Sequence, residues 1–280
     1  MINIPQYKEY AGETKLALMD NSTIAFLEQI ERAGVTANKL LTGYDAVLIP
    51  DWVSEEISDS IYRKNYVESL LDVGVPLYLI AEEDYANLVN GEEGNLYRIV
   101  LAAVSTLGAM KSYLRRYVEK TDPLDMEEYS IWIDEMYRNW PLTSAKAENG
   151  REKKKNAGEI SLTILAEIFS WYYPAAESIT VYTQDRDSFD YQKNAHRLLK
   201  EIFKNRNAID VSFKSNDSLL CQMYRSGMIT LDKVREVRKD ERVVLYTRQR
   251  EDKSIALASA KLDNAKFAEL LYDSKAQVIF

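Results

Sequence analysis

Four acidic residues lie beside segments whose patterns predict strand ends or first helical turns. Asp20 ends the apolar run KLALMD, and Asp185 follows the β-branched run SITVYT. Glu56 lies within a helix pattern, and Glu159 lies in the first turn of another. Carboxylate oxygens are the ligands that Mg²⁺ and Mn²⁺ prefer in proteins. Acids from four separate segments therefore predict a site for one or two of these ions.

The elements that must position these acids alternate between strand and helix patterns. Such alternation predicts an α/β fold with a mostly parallel sheet flanked by helices. Ligands of such sheets bind beyond the carboxyl ends of the strands, where these acids are expected. Strands are predicted at 15–20, 45–50, 75–80, 178–183 and 208–213, and a terminal hairpin at 242–248 and 254–257. Helices are predicted at 22–33, 52–61, 157–171, from about 185 to 204, at 216–225 and at 231–237.

Residues 82–150 have helical patterns without clear strands. One long helix is predicted over 96–118 and another over 127–140. We interpret this segment as an all-helical insertion in a domain formed by residues 1–81 and 151–280.

Composition excludes several classes of protein. The net charge is −8, with 44 acids and 36 bases, which is not the profile of a protein that holds nucleic acid by charge alone. Cys221 is the only cysteine, so an internal disulfide and a cysteine-rich zinc site are excluded, and His196 is the only histidine. The start of the sequence has no secretory pattern and no apolar run has the ~18 residues of a membrane span, so we expect a cytoplasmic protein with no membrane partner.

The order of four motifs resembles the signature of PIN-domain nucleases, many of which are toxins that cut RNA. The motifs are LALMDNSTI, IPDWVSEEI, NAGEISLTILAEI and ITVYTQDRDSF, and they cover about residues 14–66 and 156–225. The first strand of that family ends in Asp, followed two positions later by Ser or Thr, which matches Asp20 and Ser22. A Glu on the next helix matches Glu56, with Glu55 as the alternative register.

The later motifs of the family also have counterparts. A Gly-Glu pair that opens a helix matches Gly158 and Glu159, and a Thr-x-Asp after the next strand matches Thr183 and Asp185. Asp187 is a further acid near that site. Compact family members lack a segment like 82–151, which is where this chain departs from the pattern.

The resemblance implies a metal-dependent endoribonuclease that hydrolyses phosphodiesters with a metal-activated water. Because many members are toxins, it also leads us to expect the toxin of a toxin–antitoxin pair. Mg²⁺ or Mn²⁺ is the implied cofactor, and RNA, an antitoxin or another regulatory protein, and a second copy of the chain are the implied partners. The implied metal ligands and catalytic residues are Asp20, Glu56, Glu159 and Asp185, with Ser22, Thr183 and Asp187 in supporting roles. Basic residues beside these acids are candidates for phosphate contact: Arg151, Lys153, Lys154, Lys155 and Arg186.

Each acid also has a purely structural interpretation. Asp20 suits a helix N-cap, Glu159 complements a helix dipole, and Glu56 suits a solvated helix face. Asp185 and Asp187 are spaced as turn or cap residues. His196 and Cys221 are expected to be structural.

Other functions stay open at the level of sequence. The same chemistry is compatible with a DNA-directed nuclease of a related fold, and a degenerate PIN fold is compatible with a binding or scaffold protein. A haloacid dehalogenase-type phosphatase needs a second Asp where Ser22 stands, and a receiver domain needs paired acids that residues 14–19 lack.

Overall fold

The structure is a computed structural model, and it describes residues 2–117, 129–142, 145–146, 152–238 and 240–280. The strands are β1 (Lys15–Met19), β2 (Ala46–Pro50), β3 (Leu77–Ile80), β4 (Ala145–Lys146), β5 (Glu152–Lys153), β6 (Ser178–Tyr182), β7 (Val211–Lys214), β8 (Arg242–Gln249), β9 (Ile255–Leu262) and β10 (Ala276–Val278). The helices are α1 (Asn21–Arg32), α2 (Asp51–Ile57), α3 (Ile61–Asp72), α4 (Tyr85–Leu88), α5 (Glu93–Ala103), α6 (Gly108–Tyr117), α7 (Tyr129–Arg138), α8 (Ala157–Tyr172), α9 (Arg186–Ile202), α10 (Asn216–Arg225), α11 (Leu231–Val237) and α12 (Asn264–Tyr272).

The central sheet has five parallel strands in the order β3-β2-β1-β6-β7. The predicted α/β fold with a mostly parallel sheet is therefore confirmed. Strand β1 lies in the middle, and its Leu18 is paired with Leu48 on one side and Val181 on the other. Every residue of β2 is buried, as expected for a parallel strand covered on both faces. Pro76 directly precedes β3, the outer strand of the sheet, so its missing N–H does not interrupt the hydrogen bonds of a central strand.

Helix α8 passes through the centre of the molecule. Nearly all of its residues are buried, including both faces of the run ISLTILAEIFSWY, because the helix packs against α2, α5, α9 and the sheet. Within the described residues, no helix combines the length and the apolar character that crossing a membrane requires.

The predicted long helix over 96–118 is wrong. Helix α5 ends at Ala103 and α6 begins at Gly108, with a turn in which the Leu107 N–H donates to the Val104 carbonyl at 2.9 Å. Ser105 and Thr106 lie in this turn and are weak helix formers, which explains why the helix ends here. The apolar periodicity continues across the turn, and for that reason it predicted a single helix. The pattern over 52–61 also divides into two helices.

The segment 82–150 is not entirely helical, because β4 pairs with β5 in an antiparallel ladder. Helix α5 of this segment packs directly against α8 and α9 of the main fold. The remaining parts of the segment, 118–128, 143–144 and 147–150, lie outside the described residues.

A second, three-stranded antiparallel sheet has the order β10-β8-β9. The predicted hairpin is confirmed as β8 and β9, although both strands are longer than expected. Helices α10 and α11 have the predicted bounds, whereas α12 and β10 were not predicted. The strand expected at 208–213 lies at Val211–Lys214.

Candidate acidic site

The Asp20 carboxylate lies where β1 and β6 end side by side. The Asp20 N–H donates to the Tyr182 carbonyl at 2.9 Å, which continues the pairing of the two strands past their ends. Asp20 is the N-cap residue of α1, but its side chain makes no capping hydrogen bond. Its Oδ2 instead accepts hydrogen bonds from the hydroxyl groups of Ser22 and Thr183, the latter at 2.9 Å. The helix-cap interpretation therefore does not account for the orientation of this carboxylate.

Both hydroxyl groups also connect Asp20 to the segment after β6. Ser22 Oγ accepts from the Gln184 N–H at 3.0 Å, and Thr183 Oγ1 accepts from the Asp185 N–H at 3.0 Å. Since each hydroxyl donates to Asp20 and accepts from that backbone, the network fixes the distance between two of the motifs.

Glu159 lies in the first turn of α8 and is surrounded by the other predicted acids. Burial, followed by the negative charges of Asp20, Glu56 and Asp185, raises the pKa of its carboxyl group to about 8. Burial also raises the pKa of Asp20, although the hydrogen bonds from Ser22 and Thr183 oppose this shift. The fold thus brings Asp20, Glu56 and Asp185 near enough to Glu159 for their charges to act on it.

Glu56 reaches this group because α2 and α8 approach closely at Gly158. A methyl group at position 158 would lie 3.3 Å from Val53 Cγ2 and 3.5 Å from Glu56 Oε1, so only glycine leaves this space open. Glu56 Oε2 accepts a hydrogen bond from Asn21 Nδ2 at 3.2 Å, and the Arg63 guanidinium donates to Asn21 Oδ1. A basic residue of α3 therefore orients Glu56 through Asn21.

Glu55 faces a different place. It lines a separate cavity of about 210 Å³ together with Asp51, Glu82 and Tyr137. Burial raises the pKa of Asp51 to about 6 and that of Glu82 to about 8. Of the two registers on α2, Glu56 is the one that faces Glu159.

Asp185 is the N-cap residue of α9, and its Oδ1 accepts from the Asp187 N–H at 2.8 Å. Asp185 therefore caps the helix, as its structural interpretation predicted. Asp187 is exposed. Tyr191, one turn further along α9, accepts a hydrogen bond from Asn156 Nδ2 at 2.7 Å. Burial, followed by the charges of Asp187, Glu159 and Asp185, raises the pKa of Tyr191 to about 12.

Four residues at this site were missed by the sequence reasoning: Asn21, Arg63, Asn156 and Tyr191. Asn156 is the N-cap residue of α8 and has a left-handed backbone with φ of 60°. An Asn before a predicted helix is a detectable signal, because this residue type tolerates that conformation. Arg63 and Tyr191 carry no comparable signal, since only the packing of α3 and α9 places them here.

The predicted basic residues do not form one group around the acids. Lys154 Nζ donates to the Arg138 carbonyl at 3.2 Å, and Lys155 is exposed just before α8. Arg186 donates to the Val243 carbonyl of β8 at 3.2 Å. Arg151 lies outside the described residues, and Lys153 is described only as part of β5.

The two residues expected to be structural have structural surroundings. His196 Nδ1 lies 3.3 Å from Glu167 Oε2, and its ring stacks on Trp171. Cys221 is buried with a free thiol.

The four acids have the chemistry of ligands for a divalent cation, but their side chains are not arranged as a complete ligand set. All four supply the hard oxygen ligands that such a cation prefers, and their mutual repulsion would be relieved by positive charge. In the part of the chain that the structure describes, no three Asp, Glu, His or Cys side chains converge closely enough to form a complete ligand set. Three of the carboxylates are therefore near enough to Glu159 to interact with it through their charges, and each of these three also accepts hydrogen bonds from neighbouring residues.

No family model matches the chain, and no curated protein and no solved structure is significantly similar to it. The resemblance to PIN-domain nucleases therefore stays a prediction based on the order of the motifs. The site must be interpreted from its own geometry.

Proposed function

We propose that this chain is a metal-dependent nuclease that hydrolyses RNA phosphodiesters, with Asp20, Glu56, Glu159 and Asp185 as ligands of Mg²⁺ or Mn²⁺. The observation that carries the proposal is the close approach of α2 and α8 at Gly158, which places Glu56 beside the helix turn that holds Glu159. The charges of Glu56, Asp20 and Asp185 all act on Glu159 and help to raise its pKa. Asp20 and Asp185 follow the parallel strands β1 and β6, where such folds bind ligands, and Glu56 and Glu159 lie on helices α2 and α8.

The proposal assigns a role to the cation that the chain itself does not supply. A divalent cation bound here would stabilise negative charge on a phosphate and lower the pKa of a water molecule. The chain's own residues would hold the ligands: Ser22 and Thr183 orient Asp20, Asn21 orients Glu56, and the Asp187 N–H orients Asp185.

Two helices begin at this site. Glu159 lies in the first turn of α8, and Asp185 caps α9. Helix N-termini present free N–H groups and partial positive charge, which favours the binding of phosphate near the acids. The exposed Lys155 lies two residues before α8 and is the predicted basic residue nearest in sequence to Glu159.

The test is cleavage of a mixed RNA pool and of matched DNA oligonucleotides with Mn²⁺, Mg²⁺ or a chelator. Wild type, Asp20→Asn, Glu56→Gln and Glu55→Gln are compared, and Glu55→Gln is the matched control because it removes the neighbouring carboxylate on the same helix. We expect metal-dependent cutting of RNA by wild type and Glu55→Gln and its loss in the other two variants.

The other outcomes decide between the alternatives. Cutting that survives Asp20→Asn would contradict the assigned site, and preferential cutting of DNA would identify a DNA-directed nuclease. No cutting and no binding of Mn²⁺ by any variant would favour a binding or scaffold protein. An antitoxin and a homodimer stay predictions of the resemblance, and a cytoplasmic location stays a prediction of the sequence pattern.

A further inference from the structure

Two outer strands, β7 and β10, border one groove among the described residues. Strand β7 is the outer strand of the five-stranded sheet, and β10 is an outer strand of the three-stranded sheet. Consecutive residues of both segments, 212–214 and 277–279, line one cavity of about 420 Å³. A run of consecutive residues lines a cavity when the backbone edge of the strand borders it. We call this space the β7–β10 groove.

The backbone of β7 presents hydrogen-bonding groups to the groove. The Lys214 carbonyl accepts from the Thr183 N–H at 3.2 Å, so the backbone groups of Lys214 turn toward the β6 side. The direction alternates from residue to residue along a strand, so those of Val211 and Phe213 turn toward the groove.

The backbone of β10 is oriented in a complementary way. The Lys275 carbonyl accepts from the Gln249 N–H at 2.9 Å, and the Ile279 N–H donates to the Leu245 carbonyl at 2.8 Å. The intervening residues Ala276 and Val278 therefore turn their backbone groups away from β8. The Ala276 carbonyl agrees with this orientation, because it accepts a hydrogen bond from the Arg225 side chain.

The groove adjoins a second cavity, because Phe213 and Ile279 line both, and the two cavities differ in chemistry. A mainly apolar cavity of about 360 Å³ lies on the side of Phe189, Phe213, Leu245 and Phe280. Phe189 is 44% exposed although it packs edge-on against Phe213, with ring centroids 5.4 Å apart. The cavity of about 420 Å³ instead contains the basic side chains of Lys214 and Arg225.

We propose that the β7–β10 groove binds an extended peptide segment of a partner protein, which adds to β7 as a further strand. Side chains alternate between the two faces of a strand, so the segment that fits alternates apolar residues with Asp or Glu. The apolar residues occupy the cavity beside Phe189 and Phe213, and the carboxylates face Lys214 and Arg225. The partner's backbone pairs with Val211 and Phe213, while β10 closes the far side.

The features of the groove favour this occupant over other macromolecules. A nucleic acid would place phosphates against the apolar cavity, and the outer backbone edge of β7 has no complement in a nucleic acid. Charge complementarity favours an acidic segment, because the cavity that contains Lys214 and Arg225 has no carboxylate among its lining residues. The inference does not depend on the acidic site being catalytic.

The test is fluorescence anisotropy with labelled peptides of about six residues, the length of an ordinary strand. The probe alternates valine and glutamate; one control has the same composition with the valines and glutamates in two blocks, and another alternates valine and lysine. We expect saturable binding of the valine–glutamate probe by the full chain and at least about tenfold weaker binding of both controls.

Two variants locate the binding. Lys214→Glu is expected to weaken the valine–glutamate probe about tenfold and to strengthen the valine–lysine probe, a reversal that a misfolded variant would not show. Phe189→Asp, at an exposed position, is expected to weaken both alternating probes. Equal binding of the block peptide, the absence of binding, or unchanged affinities in Lys214→Glu would overturn the proposal, as would a dimer of this chain that buries the groove.

Discussion

Two groups of side chains, each around a buried carboxylate, differ in their balance of charge. Asp217 is 1% exposed, and two guanidinium groups surround its carboxylate, with Arg238 Nε at 2.9 Å and Arg242 Nη2 at 2.6 Å. Asp20 is 8% exposed, and it accepts hydrogen bonds from two neutral hydroxyl groups while Glu159 lies near enough to repel it. The chain itself neutralises the first group, whereas it surrounds the second with further acids.

This difference in charge balance indicates different roles for the two groups. A buried carboxylate that is paired with guanidinium groups fixes the packing of α10, α11 and β8, because removing one partner leaves an uncompensated charge. Acids that raise one another's pKa destabilise the folded chain, and such arrangements are concentrated at functional sites. The comparison supports the proposal that a cation from solution completes the second group.

The largest expected effect is a difference in the free energy of unfolding between substitutions in the two groups. Asp217→Ala leaves the fully buried Arg238 without its partner and is expected to lower the free energy of unfolding by about 3–5 kcal/mol. Asp20→Asn removes a charge from a repulsive group and is expected to change that free energy by less than about 1 kcal/mol. Urea denaturation in the presence of a chelator measures both, and equal losses would refute the comparison.

The next effect concerns the residue that orients Glu56. Asn21→Ala removes the hydrogen bond to Glu56 Oε2 and is expected to weaken Mn²⁺ binding about 10-fold to 100-fold, as is usual for residues that hold a metal ligand. Arg63→Met should give a smaller loss, because Arg63 acts through Asn21. Titration calorimetry measures both affinities, and Asn194→Ala, at a half-buried position of α9, is the control. Unchanged affinity in Asn21→Ala would remove Asn21 from the site.

The smallest effect is a pH dependence of stability. The pKa of Glu159 is about 8 in the folded chain and 4.5 for an unperturbed group, so the unfolded chain loses its proton first as pH rises. Stability from this group is fully present below about pH 4.5 and declines up to about pH 8. Without metal, Glu159→Gln should therefore raise the melting temperature by a few degrees at pH 8 and leave it nearly unchanged below pH 4.5.

This comparison between the variant and wild type is needed because Glu82 and Glu167 also have raised pKa values. Their contributions to the pH dependence are present in both proteins and cancel in the difference. A difference that stays constant with pH would mean that Glu159 is not the group whose ionisation is suppressed.

The sequence predicted the part of the site that follows from the parallel sheet. Asp20 ends a central strand and Thr183 ends its neighbour, so adjacent carboxyl ends were enough to place them together. Glu159 was predicted in a first helical turn for the same local reason.

The rest depended on contacts between residues that are distant in the chain. Glu55 and Glu56 differ by one position on α2, and only the close approach of α8 at Gly158 determines which of them faces Glu159. Arg63 and Tyr191 reach the site through helix packing that no local pattern encodes. The division of 96–118 into α5 and α6 was missed because apolar spacing continues through the turn at Val104.

The most direct test of the central claim is titration calorimetry with Mn²⁺ on wild type, Glu56→Gln and Glu55→Gln. The two variants remove the same group from neighbouring positions of one helix, so they have the same net charge and differ only in the direction of the lost carboxylate. We predict that wild type and Glu55→Gln bind Mn²⁺ with similar affinity and that Glu56→Gln binds it at least about tenfold more weakly. Equal affinities for the two variants, or no binding by wild type, would contradict a cation site formed by Asp20, Glu56, Glu159 and Asp185.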